Sequence, residues 1–223
     1  MPLSPNFGER RAGLLPEFIV LHYTAMESCQ AAADRLCDPA AEVSAHYLID
    51  YDGALHALVP ETARAWHAGA GRWRGLDDLN SRSIGIELAN DGFEPFPEPQ
   101  MAALETLLAA IMARWSIPPQ GVIGHSDMAP GRKTDPGARF DWQRLARGGL
   151  SVWPQFDDAE PPALQDFRDF TLAIGYDRDA SDDVVLQAFR LRFRPMAKGP
   201  LDSTDLKLAQ ALAKRVDDNA GQA

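Results

Sequence analysis

The chain has two cysteines in 223 residues, too few for a disulfide framework. Cys29 and Cys37 lie eight apart in ESCQAAADRLCD, which reads as a helix. At a rise of 1.5 Å per residue their Cα atoms are roughly 12 Å apart, too far to bridge. Both are read as reduced structural thiols, and the compartment expected is the cytoplasm, or the periplasm if a leader has been removed. Positive charge is also short: 22 Lys and Arg against 32 Asp and Glu leave a formal net charge of −10. That balance argues against a general nucleic-acid binder, which needs a basic field. No run of about 18 apolar residues exists, so no membrane-spanning helix is expected. The opening segment MPLSPNFGERRAGLLPEF has no apolar core fit for a signal peptide, because Pro16 interrupts the short Leu14–Leu15 patch. No GxGxxG or GKS/T string appears, which sets aside dinucleotide and P-loop chemistry.

What is present is an ordinary globular composition, 45% apolar and 24% charged, with length for one well-buried domain and a smaller one. FIVLHYT reads as a buried strand delivering His22 near its exit, followed by a helix over 28–36. SAHYLIDYDGALHALVP carries an Asp52–Gly53 turn between apolar runs, a hairpin signal. WHAGAGRWRGLDDLN is too irregular for an element and reads as a long functional loop. SIGIELAN returns to strand, with Ile84, Ile86 and Leu88 on one face and Gly85 and Glu87 on the other. The apolar stripe from Met101 to Trp115 predicts an amphipathic helix over 99–115, and GVIGH a short strand ending on His125. Strands interleaved with helices give an α/β class, a central mixed β-sheet flanked by helices. Acids and prolines over 151–163 mark a linker, and helical patterns near 164–174, 181–192 and 203–216 make a small three-helix domain. The expected division is therefore 1–150, 151–163 and 164–223.

His22 and His125 close two strands, and in α/β domains chemistry gathers at strand ends. A catalytic zinc takes three His or Asp/Glu ligands and leaves a position open. Either Asp127 or Asp135 fits as the third ligand, and spacing does not choose between them. Each residue also has a plainer role: a packed histidine, or an aspartate that starts a turn. Glu87, a carboxylate in an apolar strand, is a candidate general base, and Lys133 a candidate oxyanion partner. His46 and His56 alternate with apolar residues and are read as packed or sheet-face residues; His67 beside Trp66 suits a substrate wall.

In order, LHYT, VSAHYLID, YDG, RAWHAG, LNSRSIGIE, GHSDMAPGRKTDPG and FDW resemble the zinc-dependent N-acetylmuramoyl-L-alanine amidases. Phage lysozyme-type amidases and peptidoglycan recognition proteins share that fold. The resemblance spans about residues 5–145. It implies zinc held by His22, His125 and Asp135, Glu87 as catalytic acid/base and Lys133 as transition-state stabiliser. Some members place a catalytic tyrosine where this chain has Ala45, so the burden falls on Glu87. Trp66, His67, Asn80 and Arg82 are implied as the substrate wall. AIGY and LQAFRLRFRP resemble a three-helix peptidoglycan-binding domain, with Phe189–Arg190 in place of the usual phenylalanine–glutamine pair. The implied partners are muropeptides, 1,6-anhydro forms included, or the sacculus. The implied reaction is hydrolysis of the bond between the lactyl group of N-acetylmuramic acid and L-alanine; the alternative is a non-catalytic muropeptide sensor.

Overall fold

The computed structural model describes residues 3–155 and 162–220. Residues 156–161 of the expected linker lie outside that range. Among the described residues seven strands form: β1 (Phe7–Glu9), β2 (Phe18–Tyr23), β3 (Tyr47–Ile49), β4 (Leu55–Ala57), β5 (Ala63–Ala65), β6 (Ser83–Leu88) and β7 (Val122–Gly124). Five of them make one sheet in the order β4-β3-β6-β2-β7, while β1 and β5 pair as a separate ribbon. β3, β6, β2 and β7 run parallel and β4 antiparallel, so the sheet is mixed as expected. The hairpin turns at Gly53, whose φ of +87° favours glycine.

Eight α-helices accompany the strands among the described residues. In the first 150 residues they are α1 (Cys29–Cys37), α2 (Leu79–Arg82), α3 (Glu98–Trp115), α4 (His125–Met128) and α5 (Trp142–Arg147). The last three are α6 (Phe167–Ile174), α7 (Asp182–Phe193) and α8 (Ser203–Ala220). Ser28 caps α1 by accepting from the Ala31 N–H at 3.1 Å. Among the described residues no helix is long and apolar enough to cross a membrane.

Strand alternation distributes the core over both faces of the sheet. Ile19, Leu21, Ile84, Ile86 and Leu88 pack with Met101, Leu104, Leu108 and Ile111 of α3, and with Trp142 and Leu145 of α5. On the opposite face, Phe18, Val20 and Ile123 share a core with Phe167, Val185 and Phe189 of the C-terminal helices. Toward the hairpin edge Leu48 packs with Ala32, Ala33 and Leu36 of α1. The C-terminal helices therefore close one face of the sheet. One local difference from the sequence reading concerns His125: β7 stops at Gly124, and the histidine opens the single turn of α4.

Candidate active site

Parallel pairing aligns three strand ends at one edge of the sheet. His22 is in register with Glu87, and Leu21 with Gly124, so that His125 follows directly beside His22. Asp135 arrives from the loop after α4, where its carbonyl accepts the Ser126 N–H at 2.9 Å. Three donor atoms meet there. His22 Nδ1 lies 2.9 Å from His125 Nδ1 and 2.8 Å from Asp135 Oδ2, and His125 Nδ1 lies 3.0 Å from that same oxygen. All three residues are buried.

The chemistry of this set fits a metal ion. His125 Nε2 lies 2.9 Å from the Ala68 carbonyl, which requires an N–H there and leaves a lone pair on Nδ1. Two imidazole nitrogens and a carboxylate oxygen converging out of water call for a shared cation, and they offer the mixed N/O set zinc prefers. Their spacing is close to the roughly 3.3 Å that bonds of about 2.0–2.1 Å impose around a tetrahedral ion. Burial, with His125 adding to it, lowers the His22 pKa to about 4, so the ring is neutral and ready to ligate near pH 7. Burial pushes Asp135 up, but the close contacts with His125 and His22 outweigh it and hold the carboxyl well below the usual carboxylate range. Asp127, the other candidate ligand, points away from the donor set into a different network.

Glu87, Lys133, Trp66 and His67 border one cleft of about 390 Å³ with His22, His125 and Asp135. Glu87 Oε2 is enclosed and has no hydrogen-bond partner among the described residues. Burial first, then the charge of Asp135, raises its pKa well above the ordinary value, against the pull of Lys133. The Lys133 side chain is exposed at the rim. His67 stands behind His22, with Nδ1 3.1 Å from His22 Nε2, and lies flat against β6 at Gly85. A Cβ at Gly85 would come within 2.3 Å of that ring.

Two expected wall residues are placed elsewhere. Asn80 is buried, and its Oδ1 accepts the backbone N–H groups of His67 and Ala68 at 3.0 and 2.8 Å. It shapes the loop that carries His67, as a side-chain amide in a short helix can, without bordering the cleft. The Arg82 guanidinium turns outward to Glu17 at 2.5 Å and to the Asp77 carbonyl. His46 is fully buried, with Nδ1 accepting from the Gly85 N–H at 3.0 Å. Cys29, read from the sequence as a structural thiol, has ligand-type atoms of His56 and Asp50 within 4.8 Å. Burial, reinforced by Asp50, pushes that thiol up to about 12, which leaves it protonated and a poor nucleophile.

Residues 12–138 match the family described as N-acetylmuramoyl-L-alanine amidase. Over 231 aligned positions the chain is 36% identical to the N-acetylmuramoyl-L-alanine amidase AmiD of Escherichia coli, covering 88% of this chain and 82% of AmiD. A stretch of 103 residues is 41% identical to the 1,6-anhydro-N-acetylmuramyl-L-alanine amidase AmpD of Enterobacter cloacae, covering 46% of this chain and 55% of AmpD. Among solved structures, E. coli AmiD in complex with anhydro-N-acetylmuramic acid-L-Ala-D-gamma-Glu-L-Lys superposes with a TM-score of 0.81 at 32% identity, over 95% of this chain and 98% of that one. Pseudomonas aeruginosa AmpDh3 in complex with anhydromuramic pentapeptide gives 0.82 at 32% identity, over 95% and 94%.

Proposed function

The chain belongs to the N-acetylmuramoyl-L-alanine amidase family, and from that premise we propose that it is a zinc hydrolase of peptidoglycan fragments. The bond cut is the amide joining the lactyl group of N-acetylmuramic acid, or its 1,6-anhydro form, to the L-alanine of the stem peptide, in recycling or turnover of the wall. The observation that carries this reading is the meeting of His22 Nδ1, His125 Nδ1 and Asp135 Oδ2 within 3.0 Å, on the same sheet edge as Glu87. The anhydromuropeptides bound to AmiD and AmpDh3 support the substrate class.

His22, His125 and Asp135 would hold the ion, and zinc bound there would acidify a water and polarise the scissile carbonyl. The remaining work falls to the protein's own side chains. Glu87 faces the cleft with a carboxylate whose burial favours the protonated form. The same burial makes its ionised form a stronger base, which takes a proton from the attacking water and, once protonated, returns it to the departing alanine amine. The Lys133 ammonium stands at the same cleft, where it offsets negative charge growing on the carbonyl oxygen. His67 and Ala68 orient the two histidine ligands from behind, through His22 Nε2 and His125 Nε2. Trp66 supplies an apolar wall for the sugar or peptide. Within this reading residues 1–150 carry the chemistry, and residues 164–223, which include α6, α7 and α8, form a second unit after the linker 151–163.

Mass spectrometry of products from an anhydromuropeptide tests the reading. Anhydro-N-acetylmuramic acid and free L-Ala-peptide are expected, with no cleavage after chelation. Cleavage inside the stem peptide, or chelator-resistant turnover, would refute it.

A further inference from the structure

Asp127 is almost fully buried, yet its carboxylate is held from outside the catalytic segment. The Tyr176 hydroxyl donates to Oδ1 at 2.8 Å, and Arg192 Nη1 donates to Oδ2 at 2.6 Å. Tyr176 follows α6 and Arg192 lies in α7, so both partners come from the C-terminal helices. Arg192 is buried as well: Nη2 donates to the Val122 carbonyl and to Ser151 Oγ at 3.1 Å each, and its guanidinium lies 4.1 Å from the centre of the Trp142 ring. These groups fasten α7 to β7 and α5 at the base of the donor set.

The same carboxylate reaches the donor set through the backbone. Asp127 Oδ2 accepts the Gly124 N–H at 2.8 Å, which fixes the turn where β7 becomes α4 and where His125 begins. A helix of four residues has no stability of its own, so α4 depends on such anchors. One residue along, the Ser126 N–H holds the Asp135 carbonyl at 2.9 Å. Two of the three donor residues therefore hang on one turn, and that turn hangs on Asp127. The neighbouring loop is fastened in parallel, since the Arg74 N–H donates to the Gly175 carbonyl at 2.8 Å and Trp73 stacks edge-on with Tyr176.

We propose that the C-terminal helices are a working part of the metal centre, with Tyr176 and Arg192 as positioning residues that act through Asp127 on His125 and Asp135. This rests on the reading of His22, His125 and Asp135 as zinc ligands. It gives the helical unit a role in the chemistry besides any contact with the wall. A carboxylate stripped of these partners would be left buried and under-satisfied, and its hold on the turn at Gly124 would loosen.

Zinc affinity of the full chain, measured by competition with a chromophoric chelator, tests the proposal alongside the melting temperature of the metal-free protein. Tyr176→Phe removes one hydroxyl and keeps the ring. It is expected to weaken zinc binding about 10–100-fold, the range for partners that support a ligand, with a small change in melting temperature. Arg192→Leu is expected to weaken binding at least as much. Phe167→Leu, a core change in the same helical unit away from Asp127, is expected to lower the melting temperature and leave zinc affinity intact. Affinity within twofold of wild type in Tyr176→Phe, or loss in proportion to melting temperature across all three variants, would overturn the proposal. Failure of the wild type to bind zinc would instead refute the metal reading, and this inference with it.

Discussion

Asp127 and Asp135 are eight residues apart and both buried, yet they are neutralised in opposite ways. Among the described residues Asp135 faces two imidazole nitrogens and no guanidinium or ammonium within hydrogen-bond distance, so its environment calls for a removable cation. Asp127 faces a permanent guanidinium and a phenol supplied by the C-terminal helices. A buried carboxylate paired with an exchangeable partner is a binding site, whereas one paired with a fixed partner is a joint. The turn of α4 and the loop after it hold one of each, and the joint sets the position of the site.

That contrast is sharpest when each carboxylate environment is broken in turn. The largest expected effect is on catalysis: Glu87→Gln should lower kcat about 10²–10⁴-fold with zinc retained, because proton transfer is lost and the donor set is untouched. Steady-state kinetics with metal analysis on the same sample checks both halves. Lys133→Ala should lower kcat about 10²–10³-fold, the scale of losing one oxyanion donor, with KM little changed.

Asp127→Ala should cost about 3–5 kcal/mol of stability, since Arg192 would remain buried without its partner. Urea unfolding of the metal-free protein measures this. A smaller effect is expected from acid. His46 is buried, and burial lowers its pKa to about 3 from 6.5. A group depressed in this way contributes stability that is complete above pH 6.5 and is lost as pH falls toward 3, because the unfolded chain binds the proton first. Metal-free protein should lose on the order of a few kcal/mol across that window from His46, and His46→Gln should flatten the slope. Smallest of all, Arg82→Ala breaks a pair with the exposed Glu17 and should change stability by no more than about 1 kcal/mol. Its kcat/KM should stay within about twofold of wild type, whereas a substrate-contacting arginine would lose far more.

The sheet and its chemistry-bearing edge were readable because both obey short-range rules. Alternation along SIGIE assigned Glu87 to the face away from the apolar core, and parallel pairing then put it in register with His22. Strand ends and turn residues likewise placed His125 and Asp135 near an edge. What spacing left open was which aspartate joined the histidines. That depends on the path of the loop between residues 128 and 135, and periodicity carries no information about such a path. Asn80 and Arg82 were assigned to a wall by the family resemblance, and their outcomes turned on partners 13 and 65 residues away. The least legible feature was Arg192. Its spacing in α7 looks like that of any surface arginine on an amphipathic helix, and only the packing of α7 on β7 and α5 turns it inward to Asp127.

Zinc content of dialysed, metal-reconstituted full chain is the most direct test of the central claim, with wild type compared against Asp135→Ala and Asp127→Ala. The expected result is about one ion per wild-type chain, close to none in Asp135→Ala, and a weakened but measurable occupancy in Asp127→Ala. Zinc retained at the wild-type level by Asp135→Ala, or no zinc in the wild type, would contradict it.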